Sequence, residues 1–200
     1  MWQRRGCGSI GGVPTHVALL RGINVGGRNR VAMADLREVV TSLGHTDVAT
    51  YIQSGNVVFT SKEADTKALA AALERAIAEV LTAGPRVVVL SRNELAQVIV
   101  DNPFPDETNP KCLHAAFRSE ELGPGDVAAV AAALRRAREK GSRDEAQVVG
   151  RTLFLRTPDG LGRSELAARL ARPGGALASL ASATMRNWAT VRRLLALCDT

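Results

Sequence analysis

The sequence predicts an α+β protein, in which a ferredoxin-like βαββαβ subdomain is followed by a related βαββα subdomain and a C-terminal helix. Three observations predict this fold class. Short apolar runs bounded by turn residues alternate with segments whose apolar residues recur at helical spacing. A proline-rich stretch, DNPFPDETNP, interrupts this alternation near the middle of the 200 residues. The order of elements after it nearly repeats the order before it, without visible sequence similarity between the halves.

The elements before the proline-rich stretch follow the ferredoxin-like order. HVALLR is typical of a buried strand, and MADLREVVTSLG is typical of an amphipathic helix that ends at Gly44. Two further apolar runs flank the tight turn at Ser54 and Gly55. The predicted elements are a strand at 16–21, a helix at 33–44, strands at 47–53 and 56–60, a helix at 64–81 and a strand at 85–91.

The elements after the proline-rich stretch give the order βαββα and then a final helix. We predict a strand at 112–119, a helix at 125–140, strands at 145–150 and 152–157, and helices at 162–171 and 187–198. The final helix takes the place where the ferredoxin-like pattern would have its sixth element, a strand. Trp188 within it is interpreted as a core residue.

The same pattern predicts the domain organisation. A short helix at 94–100 precedes the prolines, which do not fit regular structure. We divide the chain into a flexible leader (1–14), the ferredoxin-like subdomain (15–92), a proline-rich connector (93–111) and the second α+β subdomain with its C-terminal helix (112–200).

A loop rich in glycine and arginine, LLRGINVGGRNRVAM, follows the first strand. Glycines let backbone N–H groups curl around an anion, and guanidinium groups pair with oxyanions through two hydrogen bonds. In the ferredoxin-like topology this loop and the turn between the second and third strands lie at the same end of the sheet, so we expect one surface. Its candidate ligand-binding residues are Arg21, Gly22, Asn24, Gly26, Gly27, Arg28, Asn29, Arg30, Gln53, Ser54 and Asn56.

The alternative interpretation of this loop is architectural: the glycines permit a wide turn and the arginines are solvated.

Two later segments add candidate residues, each with its own alternative interpretation. In DGLGRSEL these are Arg163 and Ser164, although Ser164 is also suited to cap a helix. In TMRNWATV these are Arg186 and Asn187, which could extend the same cleft from the start of the last helix.

The residue types in these motifs favour recognition over catalysis. Gly22 and Gly27 have the spacing of a phosphate-binding P-loop, but Arg28 and Asn29 stand where that loop needs lysine and a hydroxyl, which excludes a P-loop enzyme. The histidines lie outside the motifs and no paired carboxylates occur, so neither an acid–base pair nor an activated nucleophile is visible. We therefore predict a small anionic, phosphate-bearing ligand, with no metal and no cofactor.

Composition leaves two other functions open. The net charge of +6 also fits a nucleic-acid-binding protein, although only 4% of residues are aromatic and no RNA-recognition motif surrounds Tyr51 or Phe59. A protein-interaction scaffold without a ligand is the third possibility. The absence of a long apolar segment predicts no membrane association and a cytoplasmic location, and the scattered cysteines predict neither disulfides nor a zinc site. We expect a monomer or a weak homodimer.

Five segments together resemble a known bacterial family. VALLRGINVGGRNRVAMADLREVV, TYIQSGNVVFTS, NPF, DGLGRSEL and TMRNWATV have the order and spacing of the family catalogued as domain of unknown function 1697. The resemblance runs from about His16 to near the C-terminus and implies an α+β fold with ferredoxin-like subdomains, but no established activity. It also implies lysine where Arg28 and Arg30 stand, and a small residue near Met185, so contacts at the loop could differ here.

Overall fold

The computed structural model describes residues 13–24, 30–80, 84–170 and 182–200. Its strands and helices are, in chain order, β1 (His16–Arg21), α1 (Met33–Ser42), β2 (Thr46–Tyr51), β3 (Asn56–Thr60), α2 (Thr66–Val80), β4 (Arg86–Ser91), α3 (Arg92–Val100), β5 (Leu113–Phe117), α4 (Pro124–Arg138), β6 (Glu145–Val149), β7 (Thr152–Arg156), α5 (Glu165–Leu170), β8 (Thr184–Asn187) and α6 (Trp188–Leu197). A 3₁₀ turn, Leu161–Arg163, precedes α5.

Two four-stranded antiparallel sheets confirm the predicted α+β class with ferredoxin-like subdomains. The first sheet has the order β2-β3-β1-β4 and the second has the order β6-β7-β5-β8. In each sheet the first strand of the subdomain is central, pairing with its third and fourth strands. We call the elements from β1 to α3 the first half and those from β5 to α6 the second half.

The two sheets bury each other's open faces. Side chains alternate between the faces of a strand, so Ala18 and Leu20 of β1 pack under α1 and α2, whereas Val17 and Leu19 point away from those helices. The latter join Phe117 of β5 in one inter-sheet core, which α3 and α6 also cover. On the far side of the second sheet, α4 and α5 close a third cluster. The division into subdomains stays a prediction, because this inter-sheet core joins both halves.

The fourth strand of the second half, which is the sixth element of the ferredoxin-like order, was missed by the sequence analysis, which placed only the final helix there. The structure has both: β8 pairs with β5 and leads directly into α6. The strand is four residues long with the sequence TMRN. It contains one apolar side chain, so no apolar run or alternation marks it in the sequence. Trp188, predicted as core, is 7% exposed and packs in the inter-sheet core.

The histidines make stability depend on pH. Burial lowers the pKa values of His16, His45 and His114, which are all the histidines of the chain. The unfolded chain titrates near pH 6.5, so below that pH it binds protons that the folded state does not. Stability is therefore complete above about pH 6.5 and falls as the pH drops below it.

We expect urea unfolding to give a lower free energy at about pH 5.5 than at about pH 7.5, a window in which most carboxylates stay ionised. The buried His114 should contribute to this slope, because its imidazole is 5% exposed and its Nδ1 has no hydrogen-bond partner in the described part of the chain. A His114→Gln variant should show a shallower pH dependence. Equal unfolding free energies at the two pH values would contradict the prediction.

Candidate functional site

A cavity of about 340 Å³ opens where the end of β1 meets the start of β8. We call it the seam cavity, because both halves of the protein line it. Its polar lining residues are Arg21, Gly22, Asn24, Gln53, Ser54, Thr184 and Arg186. Its apolar lining residues are Leu20, Ile23, Ala116, Leu153, Ala167, Leu170, Ala183 and Met185. The first half thus supplies most of the polar rim and the second half most of the apolar wall.

The charged groups of the seam cavity are both cations. Among its described lining residues, Arg21 and Arg186 are the only charged ones, and none is a carboxylate. Fixed charges of one sign beside apolar walls create a potential that attracts the opposite charge. The electrostatic potential of the described lining is therefore positive.

Strand alternation explains why Arg21 lies at this seam. It is two residues beyond Leu19 in β1, so its side chain lies on the face that looks toward the second sheet. There the apolar core ends and Arg21 is exposed. No carboxylate in the described ranges lies within 4.0 Å of its guanidinium. Its fork of N–H donors is therefore not engaged by a described carboxylate.

Asn24 joins the glycine loop to the β2–β3 turn. Its Nδ2 donates to the carbonyl oxygens of Val31 and Gln53, both at 3.0 Å, and its Oδ1 accepts from the Val31 N–H at 2.9 Å. The loop and the turn that the topology was predicted to bring together therefore do meet. These three hydrogen bonds use most of the hydrogen-bonding capacity of the Asn24 side chain, so little of it remains for a ligand.

The turn itself is held by a buried amide. Asn56 is fully buried, and its Nδ2 donates to the carbonyl of Tyr51 at 3.0 Å and to Ser54 Oγ at 2.9 Å. Because the Ser54 hydroxyl accepts from Asn56, its own hydrogen can be donated elsewhere. Gln53 and Ser54 are exposed at the mouth of the seam cavity.

Arg186 reaches from β8 into the first half. Its Nε donates to Asn56 Oδ1 at 2.5 Å, and its Nη2 lies 2.8 Å from Leu20 O, 2.9 Å from Ser54 O and 3.2 Å from Gly55 O. Burial lowers its pKa to about 10, so it stays charged at neutral pH. No carboxylate of the described residues pairs with it. Arg186 therefore binds the halves together and leaves an uncompensated positive charge in the wall.

Thr184 carries an unpaired hydroxyl in the same wall. The residue is 1% exposed, and its Oγ1 has no hydrogen-bond partner among the described residues. A buried hydroxyl without a partner costs about 1 to 3 kcal/mol. Sequence reasoning missed this residue, because a threonine in a short strand gives no signal of what its hydroxyl will meet.

We expect Thr184→Val to raise the free energy of unfolding by about 1 kcal/mol, because valine keeps the shape and removes the unpaired hydroxyl. The matched control is Thr157→Val. Thr157 is equally buried, but its hydroxyl donates to Cys112 O at 3.3 Å, so its loss should destabilise the protein. Urea unfolding measures both changes, and a loss of stability in Thr184→Val would contradict the assignment.

Several predicted site residues lie elsewhere. The structure does not bring Arg163 or Ser164 to the seam cavity: Ser164 Oγ donates to the buried Asp144 at 2.8 Å and accepts from the Ala167 N–H at 2.8 Å, which fixes the start of α5. Asn187 caps α6 by accepting from the Thr190 N–H at 2.8 Å. Arg30 is exposed and is not among the lining residues. Gly26, Gly27, Arg28 and Asn29 lie outside the described residues.

The described lining residues carry hydrogen-bond donors but none of the side chains that commonly transfer protons near neutral pH. No histidine, cysteine, aspartate or glutamate is found among those described. The described ranges also contain no cluster of three such side chains able to hold a metal ion. Within the same ranges, no helix has the length and apolar character needed to cross a membrane.

Comparison with solved structures places the fold among known proteins. The conserved bacterial protein SP0830 from Streptococcus pneumoniae aligns with a TM-score of 0.68 over 92% of this chain and 98% of its own, at 24% sequence identity. At that identity the likeness concerns the fold alone. A comparison with curated proteins gave no match.

A family assignment comes from the sequence over most of its length. Residues 13–154 match the family described as "Protein of unknown function (DUF1697)". The matched range includes β1, the glycine loop and the β2–β3 turn, which supply most of the polar rim of the seam cavity. The chain belongs to the DUF1697 family.

Proposed function

We propose that the protein binds a small organic anion in the seam cavity. The observation that carries this proposal is the charge of the lining: two arginines and, among the described lining residues, no carboxylate, around a cavity of about 340 Å³. That volume lies within the range of small-molecule sites, which combine apolar walls with a few placed polar groups.

The lining suggests how such a ligand would lie. The acid group would face Arg21, with Gln53 and Ser54 as neutral donors beside it. The apolar part of the ligand would pack against Leu153 and Met185 of the second half. Arg186 would act mainly through its charge, because carbonyl and amide oxygens already accept from most of its N–H groups.

The burial of the sheet faces makes the nucleic-acid alternative less favourable. RNA-recognition modules stack bases on exposed aromatic side chains of a sheet. Here Phe59 is 0% exposed, and Tyr51 is partly buried against the inter-sheet core. A nucleic acid could then be bound only through its phosphate backbone, by surface arginines, and such binding weakens steeply with salt.

The test is calorimetric titration of three probes of similar size: phenyl phosphate, benzoate and the uncharged benzyl alcohol. We expect the anions to bind and Arg21→Gln to weaken them by about tenfold, the loss typical of a charged hydrogen bond. Lys62→Gln is the matched control, because it removes one positive charge beside the opposite end of β1. A short oligonucleotide titrated in parallel at low and high salt tests the alternative: binding of that probe alone, and only at low salt, would instead favour nucleic acid.

A further inference from the structure

A second arginine stands beside Arg21. In the antiparallel β1–β4 ladder, Arg21 lies directly opposite Arg86. Directly opposite residues project from the same face, with Cβ atoms about 5 Å apart. By strand alternation the Cβ atoms of this pair lie on the face toward the second half, since Val88 of β4 lies in the inter-sheet core. Because β4 is an edge strand, the long Arg86 side chain can also reach Glu74 of α2 on the other face. The side chain of Arg86 is 77% exposed.

This pair of like charges is only weakly compensated. Like charges directly opposite in a sheet are destabilising. In the described part of the chain, the one carboxylate paired with either residue is Glu74, whose Oε2 is 3.9 Å from Arg86 Nη1. The other oxygen of Glu74 already accepts from the Val87 N–H at 2.8 Å. Arg186 adds a third positive charge near Arg21, since its Nη2 lies 2.8 Å from the carbonyl of Leu20, the preceding residue.

We infer that Arg86 joins Arg21 in binding the acid group of the ligand, and that this group is doubly charged, as in a phosphate monoester. The inference rests on the proposed function. A carboxylate has two oxygens, which the fork of one guanidinium satisfies. A phosphate monoester has three terminal oxygens and a charge near −2 at neutral pH, so it can accept from two guanidinium groups and compensate both.

In this arrangement Arg86 makes the site selective for a doubly charged ligand, although Arg86 is not among the lining residues of the seam cavity. Its exposed side chain is free to move toward the mouth of the cavity, and its contact with Glu74 is long enough to be given up at little cost. Arg21 is needed for any acid, whereas Arg86 is needed only for the doubly charged one.

The experiment titrates phenyl phosphate, benzoate and the uncharged benzyl alcohol into the wild type, Arg86→Gln, Arg21→Gln and the Lys62→Gln control, at about pH 7.5 where the phosphate is dianionic. We expect Arg86→Gln to weaken phenyl phosphate by about tenfold and to leave benzoate within about twofold. Arg21→Gln should weaken both probes. Arg86→Lys, which keeps the charge without the fork, should give an intermediate loss for phenyl phosphate.

Two failures are distinguishable. If the wild type binds both acids but Arg86→Gln weakens them equally, or weakens neither, the role of Arg86 is overturned while the proposed function stands. If the wild type binds neither acid, or binds benzyl alcohol as tightly as both, the proposed function is overturned and the inference with it. Urea unfolding of each variant confirms folding, which the exposure of the Arg86 side chain leads us to expect.

Discussion

We expect Arg186→Met to lower the free energy of unfolding by about 4 kcal/mol. The guanidinium donates to Asn56 Oδ1 and to carbonyl oxygens of Leu20, Ser54 and Gly55. Methionine fills similar space but donates nothing, so the buried Asn56 Oδ1 and the carbonyl of Leu20 lose the donor that Arg186 supplies. The Gly55 carbonyl still accepts from the Leu20 N–H at 2.7 Å, and Ser54 is exposed to water. Because these oxygens belong to the first half and Arg186 belongs to the second, the lost stability is that of the contact between the halves.

The measurement is urea unfolding of the variant beside Arg193→Met, which removes an exposed arginine from α6 and should change stability little. Arg186→Lys should recover only part of the loss, because an ammonium group has three donors on a single atom and cannot reproduce the spread of the fork. A loss below about 1 kcal/mol in Arg186→Met would contradict the role given to Arg186.

Arg186 also shows where sequence reasoning reaches its limit. The motif TMRNWATV marked it as polar and near a helix start, which is compatible with ligand binding. Its partner Asn56 lies 130 positions earlier in the chain, so no local pattern could reveal that each satisfies the other. Asn24 was a ligand candidate for the same reason, and the structure uses its side chain to hold the loop to the turn.

The fold was easier to predict than the site, and for a physical reason. Periodic apolar residues record which face of an element is buried, so α1, α2 and the strands of the first sheet follow from spacing. Topology then predicted that the glycine loop and the β2–β3 turn meet. The apolar wall of the seam cavity, in contrast, consists of residues such as Leu153 and Leu170, which belong equally to the core that they continue. In the sequence, an apolar residue that lines a cavity has the same spacing as one that packs in the core.

The close approach at Gly55 leads to a second strong effect: we expect Gly55→Ala to cost about 3 kcal/mol of unfolding free energy. Gly55 has φ +72°, which strains any L side chain. A Cβ added there would also lie 2.7 Å from Leu20 Cβ and 2.9 Å from Ile23 Cδ1. Ile23 can shift at its flexible end, but Leu20 Cβ is fixed by the backbone of β1, so the turn must move away from the strand.

The chain offers a matched control that separates strain from crowding. Gly44 has φ +85°, but a Cβ added there meets no atom within 4 Å. Gly44→Ala should therefore cost only the backbone strain, about 1 kcal/mol, and equal losses in the two variants would contradict the crowding. Leu20 and Ile23 both line the seam cavity, so Gly55→Ala should also weaken phenyl phosphate, whereas Gly44→Ala should not. The glycine that lets the turn approach β1 would then be the residue that sets the shape of the anion site.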